Sequence, residues 1–309
     1  MKAIKLASIF AVSAVAAAVS TTTIAAEPVF SGTAGVSYLI KGEHNDADSR
    51  ADTFSGTEDA ELELAIDTGV VYLEIEMGGD ANSDETINIG LEKAYVTQGA
   101  VQFGRFDGTL SDAAALGVNE NSGVQLFSTT DTDDTGIRYS VSDELTVAIE
   151  ASEAAELGNA ANDHTNSDVG MALSFIADMG PGTFGFSGGA LGDASALNVG
   201  YSMDVGSTTL AVSYGDGEKY TKGTSTAVGV ISDETSAAIS AQLTPTDATT
   251  LNIEYVKNTS QSQVAGSTET ETTGFYVYAS YTAGDLDYYV EHYTNEVGDT
   301  TEIGVNASF

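Results

Sequence analysis

The chain has 309 residues, 46 of them acidic and 10 basic, for a formal net charge of −36. Such a charge excludes nucleic acid as a partner, because nothing on the chain could neutralise a row of phosphates. With no Cys, no disulfide can brace the fold, and 42% hydrophobic content in regular alternation excludes an acidic disordered chain.

Residues 1–26 read as a secretory signal. Lys2 and Lys5 form a basic start, an apolar run extends from Leu6 to Val19, and small residues at Ala25 and Ala26 precede Glu27. The run is too short for a helix that must cross ~30 Å of hydrocarbon, so removal is expected instead of anchoring. Beyond Pro28 no apolar run reaches the length of a membrane helix. What recurs is a period of two.

The first alternating segment puts Phe30, Ala34, Val36, Tyr38 and Ile40 on one face, with Ser31, Thr33 and Ser37 on the other. A polar loop follows. Then Ala60 to Ile66 alternates, turns at Asp67-Thr68-Gly69, and returns as Val71, Leu73, Ile75 and Met77 against Tyr72, Glu74 and Glu76. A soluble sandwich would bury that apolar face, whereas a membrane barrel turns it to lipid and lines its channel with the glutamates.

Strands are expected at 29–40, 57–66, 70–77, 86–97, 99–105, 135–142, 144–152, 167–177, 182–190, 194–203, 207–214, 234–243, 248–257, 272–282, 285–294 and 300–309. Short turns alternate with longer polar loops at 42–56, 78–85, 106–134, 152–166, 215–233 and 258–271. An even number of strands with turns at one end and loops at the other is the layout of an outer-membrane β-barrel, giving the expected fold class: an all-β, transmembrane, antiparallel barrel over 27–309. The connection 106–134, between Arg105 and Arg138, is long for a β-domain, and such loops are usually functional. It is expected to fold into the lumen. The last strand sets Ile303, Val305, Ala307 and Phe309 against Glu302, Asn306 and Ser308.

In layout the mature chain resembles the sixteen-stranded general-diffusion porins of Gram-negative outer membranes. The likeness concentrates at AYVTQGAVQFGRFDG (94–108), GIRYSV (136–141) and the terminal GVNASF. It implies a homotrimer in outer-membrane lipid, passing ions and small hydrophilic solutes without enzymatic chemistry. It also implies a third external loop that narrows the pore, with loop acids facing basic wall residues. By position those acids are Asp107, Asp112, Glu120, Asp131, Asp133 and Asp134, and the basic side is Lys93, Arg105 and Arg138.

Processing leaves few cations: Lys41, Arg50, Lys93, Arg105, Arg138, Lys219, Lys222 and Lys257. Arg138 alternates with Ile137 and Tyr139 and should point inward. Lys93 and Arg105 share parity with apolar, lipid-facing neighbours, where a charge near the midplane costs roughly 2–4 kcal/mol, so either a bulge shifts the register or they sit at a rim. Inward parity places Glu61, Glu63, Glu74, Glu76, Glu92, Glu150, Asp168, Glu254 and Glu302 on the lumen wall. That excess of acids predicts cation selectivity.

Other motifs carry little. Gly185-Phe186-Ser187-Gly188-Gly189 has the letters of a hydrolase elbow but lies within an expected strand. His44, His164 and His292 are scattered, with no Cys to join them in a metal site. The run from Asp131 to Gly136 opens like a calcium loop, yet Ser142 stands at the twelfth position, so no EF-hand is read and no cofactor is expected beyond incidental calcium. The rival reading is a secreted structural or adhesive β-protein with acidic loops.

Overall fold

A computed structural model describes residues 28–41, 53–55, 61–79, 87–106, 108–114, 116, 135–151, 169–191, 194–221, 230–295 and 298–308. Its elements are β1 (Val29–Lys41), β2 (Thr53–Ser55), β3 (Glu61–Asp67), β4 (Val71–Gly79), β5 (Ile87–Gln98) and β6 (Val101–Arg105). Next come β7 (Thr135–Ser140), β8 (Leu145–Ala151), β9 (Val169–Met179), β10 (Gly182–Leu191), β11 (Ala194–Val205) and β12 (Thr208–Thr221). The chain finishes with β13 (Val230–Thr246), β14 (Thr249–Ser262), β15 (Thr270–Ala283), β16 (Leu286–Asn295) and β17 (Asp299–Ser308).

From β3 onward, each strand pairs antiparallel with its neighbours in sequence. β1 pairs with β17 from Thr33↔Ser308 to Lys41↔Thr300 and so closes the sheet. β2 and β3 lie end to end along the same side of β1, against Leu39–Ser37 and Thr33–Val29 respectively. They fill one position between them, and the result is a closed barrel of 16 strands. Closure leaves no ladder edge unpaired, which is the condition for a sheet to exist in lipid.

Alternation turns this barrel inside out relative to a soluble fold. On β8, Ile149 is 50% exposed while the next residue, Glu150, is 1% exposed. Met171, Leu197, Val212, Ile239 and Tyr255 are likewise exposed, whereas Ser174, Ser187, Asn198, Ser213, Ser240 and Glu254 are buried on the opposite face. A continuous apolar exterior of this kind is stable only against a nonpolar solvent. The polar face is the interior.

Strand ends agree with the sequence reading at most positions, and Gly99, with φ of 60°, makes the tight turn between β5 and β6. Strand pairing claims part of several expected loops, including 42–56, where β2 pairs with β1, and 78–85, which β4 enters. β12 runs on to Thr221 and β13 starts at Val230, so most of 215–233 is ladder. β14 and β15 likewise take up much of 258–271. The wall is uneven as a result: β6, β7 and β8 have five, six and seven residues, and β13 has 17. At about 3.4 Å per residue β13 is ~55 Å long, well beyond the 9–11 residues a tilted strand needs to cross a bilayer. The β12–β15 wall therefore stands clear of the hydrocarbon at one end.

Candidate channel lumen

Near its end, β6 carries a backbone conformation that side chains other than glycine's rarely adopt. Gly104 has φ of 145°, and a Cβ there would lie 2.2 Å from the carbonyl oxygen of Ala94. Phe106 leaves the strand buried, its ring stacked on Tyr95 at 5.3 Å, and Tyr95 is stacked on Tyr72 at 5.0 Å. Arg138 of β7 covers this row. Its guanidinium sits 4.1 Å from the centre of the Phe106 ring and its Nη2 donates to the carbonyl of Gly108 at 2.7 Å.

From there the chain runs along the polar face of the wall. Thr109 Oγ1 and the Leu110 amide donate to the two carboxylate oxygens of Glu150 on β8, at 2.5 and 2.8 Å. The Leu110 side chain packs against Ala148 and Ala172. The carbonyl of Ser111 accepts from Ser187 Oγ on β10 at 2.8 Å and from Asn198 Nδ2 on β11 at 2.7 Å. The Ala114 amide donates back to Ser187 Oγ at 3.2 Å, and Ser213 of β12 donates to the Leu116 carbonyl at 2.8 Å. Bare backbone makes room for this: a Cβ at Gly200 would approach the Ala114 carbonyl to 2.9 Å. Small inward residues on five strands thus form a seat for residues 108–116.

A second feature lies on β3–β5. Between Glu74 and Ile75 the register slips, so that Lys93 pairs with Glu74 and Leu91 with Ile75, leaving Glu92 as the extra residue. Lys93 Nζ donates to Glu74 at 2.6 Å and to Glu92 at 3.4 Å, and the Tyr72 hydroxyl also donates to Glu74. This corrects the lipid-side parity expected for Lys93. The bulge carries it to the polar face, where a buried carboxylate holds it. Carboxylate oxygens of Glu63, Glu74 and Glu92 come within 4.8 Å of one another, with the one ammonium among them. Across the closing seam, Tyr276 donates to Glu291 at 3.1 Å and Tyr289 to Glu302 at 2.7 Å.

Of the expected site residues, Arg138 and Lys93 are inward, Arg138 against Phe106 and Gly108 and Lys93 against Glu74 and Glu92. Arg105 lies on β6 opposite Ala94 and Thr135, its Nε buried. Asp112 is half-buried on the seated segment. Glu63, Glu74, Glu76, Glu92, Glu150, Glu254 and Glu302 all fall on described strands, and Glu61 opposes Thr33 on β3. Asp107, Glu120, Asp131, Asp133, Asp134 and Asp168 lie outside the described residues, as do the signal at 1–26 and the residues read as an incidental calcium loop up to Asp134. The reading missed Thr109, Ser187, Asn198 and Ser213. The available signal was a run of small inward positions on β10–β12, including the Ser187 of the dismissed elbow, which sits in mid-strand and binds the loop backbone.

No protein-family model matches the sequence, and no curated protein matches it. Solved structures match in fold. The trimer form of in-vitro folded OmpT, an outer membrane protein of Vibrio cholerae, superposes with TM-score 0.66 at 13% identity, covering 92% of this chain and 100% of that one. OmpF of Salmonella typhi, in complex with daunomycin, gives 0.66 at 14%, covering 92% and 98%. An anion-selective porin from Comamonas acidovorans gives 0.60 at 10%, covering 92% and 100%. Together with the closed, inside-out barrel, these matches define the architecture: the chain has the fold of the outer-membrane porins.

Proposed function

We propose that the chain forms a passive, water-filled channel in the outer membrane of a Gram-negative bacterium, and that it prefers cations. The observation that carries this reading is the closed barrel whose polar interior bears Glu63, Glu74, Glu76, Glu92, Glu254, Glu291 and Glu302 against Lys93 and Arg138. Sixteen strands leave a bore wide enough for water, and fixed charge on its wall sets which ions enrich there. No bond is made or broken in this function, and no cofactor is assigned. The described start of loop 106–134, held on the inner wall by Glu150, Ser187, Asn198 and Ser213, narrows the bore where it lies.

The assembly is a homotrimer after removal of residues 1–26, in line with the trimer form of the Vibrio cholerae neighbour. The neighbours include an anion-selective porin, so the sign of selectivity rests on this chain's own residues and not on its fold. Purified protein added to a planar bilayer should insert in discrete ohmic conductance steps, and cell fractionation should place it with outer membranes. A detergent-solubilised mass of one barrel by light scattering would contradict the trimer. Absence of any conductance, with the protein soluble in the secreted fraction, would favour the adhesive β-protein.

A further inference from the structure

The lumen acids divide by what their oxygens touch. Glu150 has both carboxylate oxygens occupied by the loop segment, by Thr109 Oγ1 at 2.5 Å and by the Leu110 amide at 2.8 Å, and it is 1% exposed. Glu76 is different. It lies on the polar face of β4 opposite Glu63 and is half-buried. A carboxylate covered by the docked segment is shielded from the bore, whereas one that faces the bore contributes directly to the field an ion meets.

We propose that Glu150 is a positioning residue for the channel: it docks residues 108–116 into the seat on the inner wall and does not take part in selecting ions. Three features converge on this. Glu150 is the acidic group among the wall residues that hydrogen-bond the segment, the others being Arg138, Ser187, Asn198 and Ser213. Its acceptors meet the segment at its entry, one residue beyond the carbonyl of Gly108 that Arg138 holds. The Leu110 side chain, carried on the amide that Glu150 binds, fills the dimple between Ala148 and Ala172. Hydrogen bonds to a charged acceptor are the strong ones of such a set, so losing both should raise the ratio of undocked to docked segment about tenfold or more. An undocked segment would wander in the bore and appear as current noise.

The assignment rests on the reading of the chain as a conducting channel. Glu150→Gln keeps an acceptor for the Leu110 amide, and its new amide can donate to Thr109 Oγ1, which has Ser111 Oγ at 3.0 Å as a further partner. Glu150→Ala keeps neither contact. In single-channel records, Glu150→Ala should show open-channel noise several-fold above wild type, and Glu150→Gln should match wild type in both noise and reversal potential. Glu76→Gln should instead lower cation preference with quiet current. Thr109→Val removes one donor from the loop side without touching the barrel, and should raise noise in the same direction, to a lesser degree, even where Glu150→Ala fails to assemble. Quiet current in Glu150→Ala, or in Thr109→Val if the former does not assemble, would overturn the proposal. So would a reversal-potential shift in Glu150→Gln as large as that in Glu76→Gln. Wild-type protein that conducts nothing would overturn the channel reading itself, and this assignment with it.

Discussion

Two parts of the inner wall use the same alternation to opposite ends. On β8–β12 the inward positions are small or neutral, with one glutamate, and they receive a length of the chain's own backbone. On β3–β5 they are acidic and aromatic, and they leave carboxylates crowded around one lysine. Period two decides only which residues face inward. Their size and charge decide whether the wall carries a segment or a field.

The difference can be broken at defined places, taken from the largest effect down. Gly104→Val strikes β6 two residues before the strand gives way to the loop at Phe106, forcing a β-branched residue into φ of 145° with its Cβ 2.2 Å from the Ala94 carbonyl. It should cost about 3 kcal/mol or more, read as a lower urea midpoint for refolding into detergent micelles. An unchanged midpoint would mean that the loop departs from β6 along another path. Glu74→Ala acts on the charged wall by removing the nearer partner of Lys93. Glu92 remains within 3.4 Å, which limits the loss to about 2 kcal/mol in the same assay. A neutral result would show that the ammonium reaches water without cost.

Ser213→Ala samples the seat at its far end. It leaves the Leu116 carbonyl without this donor, for about 1 kcal/mol, and on the present account should reduce stability without altering ion preference. A change in reversal potential would blur the distinction between the two walls. Lys257→Ala is the control on the tall β12–β15 wall. Its 2.7 Å pair with Glu271 is about half exposed on both sides, so refolding midpoint and selectivity should both stay at wild-type values. A measurable loss would assign that wall a role it lacks here.

Strand positions were legible in the sequence because burial in a barrel has period two and the turns are short. The inward parity of Glu63, Glu74, Glu76, Glu150 and Glu254 was read from the same period. For Lys93 the sequence left a bulge or a rim position open, and the bulge at Glu92 resets the register through backbone pairing that no single strand encodes. The seat was hidden for a related cause. Ser187, Asn198 and Ser213 are unremarkable apart, and only the barrel's curvature brings three strands to one segment that precedes them by 73 to 97 residues. The tall wall was foreshortened because polar residues such as Asp216, Glu218 and Asp233 look like loop, yet they pair in register beyond the apolar band.

The central claim is that wall acids, outnumbering inward bases, give the bore a cation preference. A reversal potential across a planar bilayer under a KCl gradient measures that preference directly. With the dilute side near 0.1 M, where the Debye length is ~10 Å, the potential should carry the sign of K⁺ permeation, and at a fixed concentration ratio it should shrink as both sides are raised toward 1 M and screening tightens to ~3 Å. A reversal potential of the opposite sign at low salt would contradict the account, because it would mean that Lys93 and Arg138, and not the carboxylates around them, govern the passage.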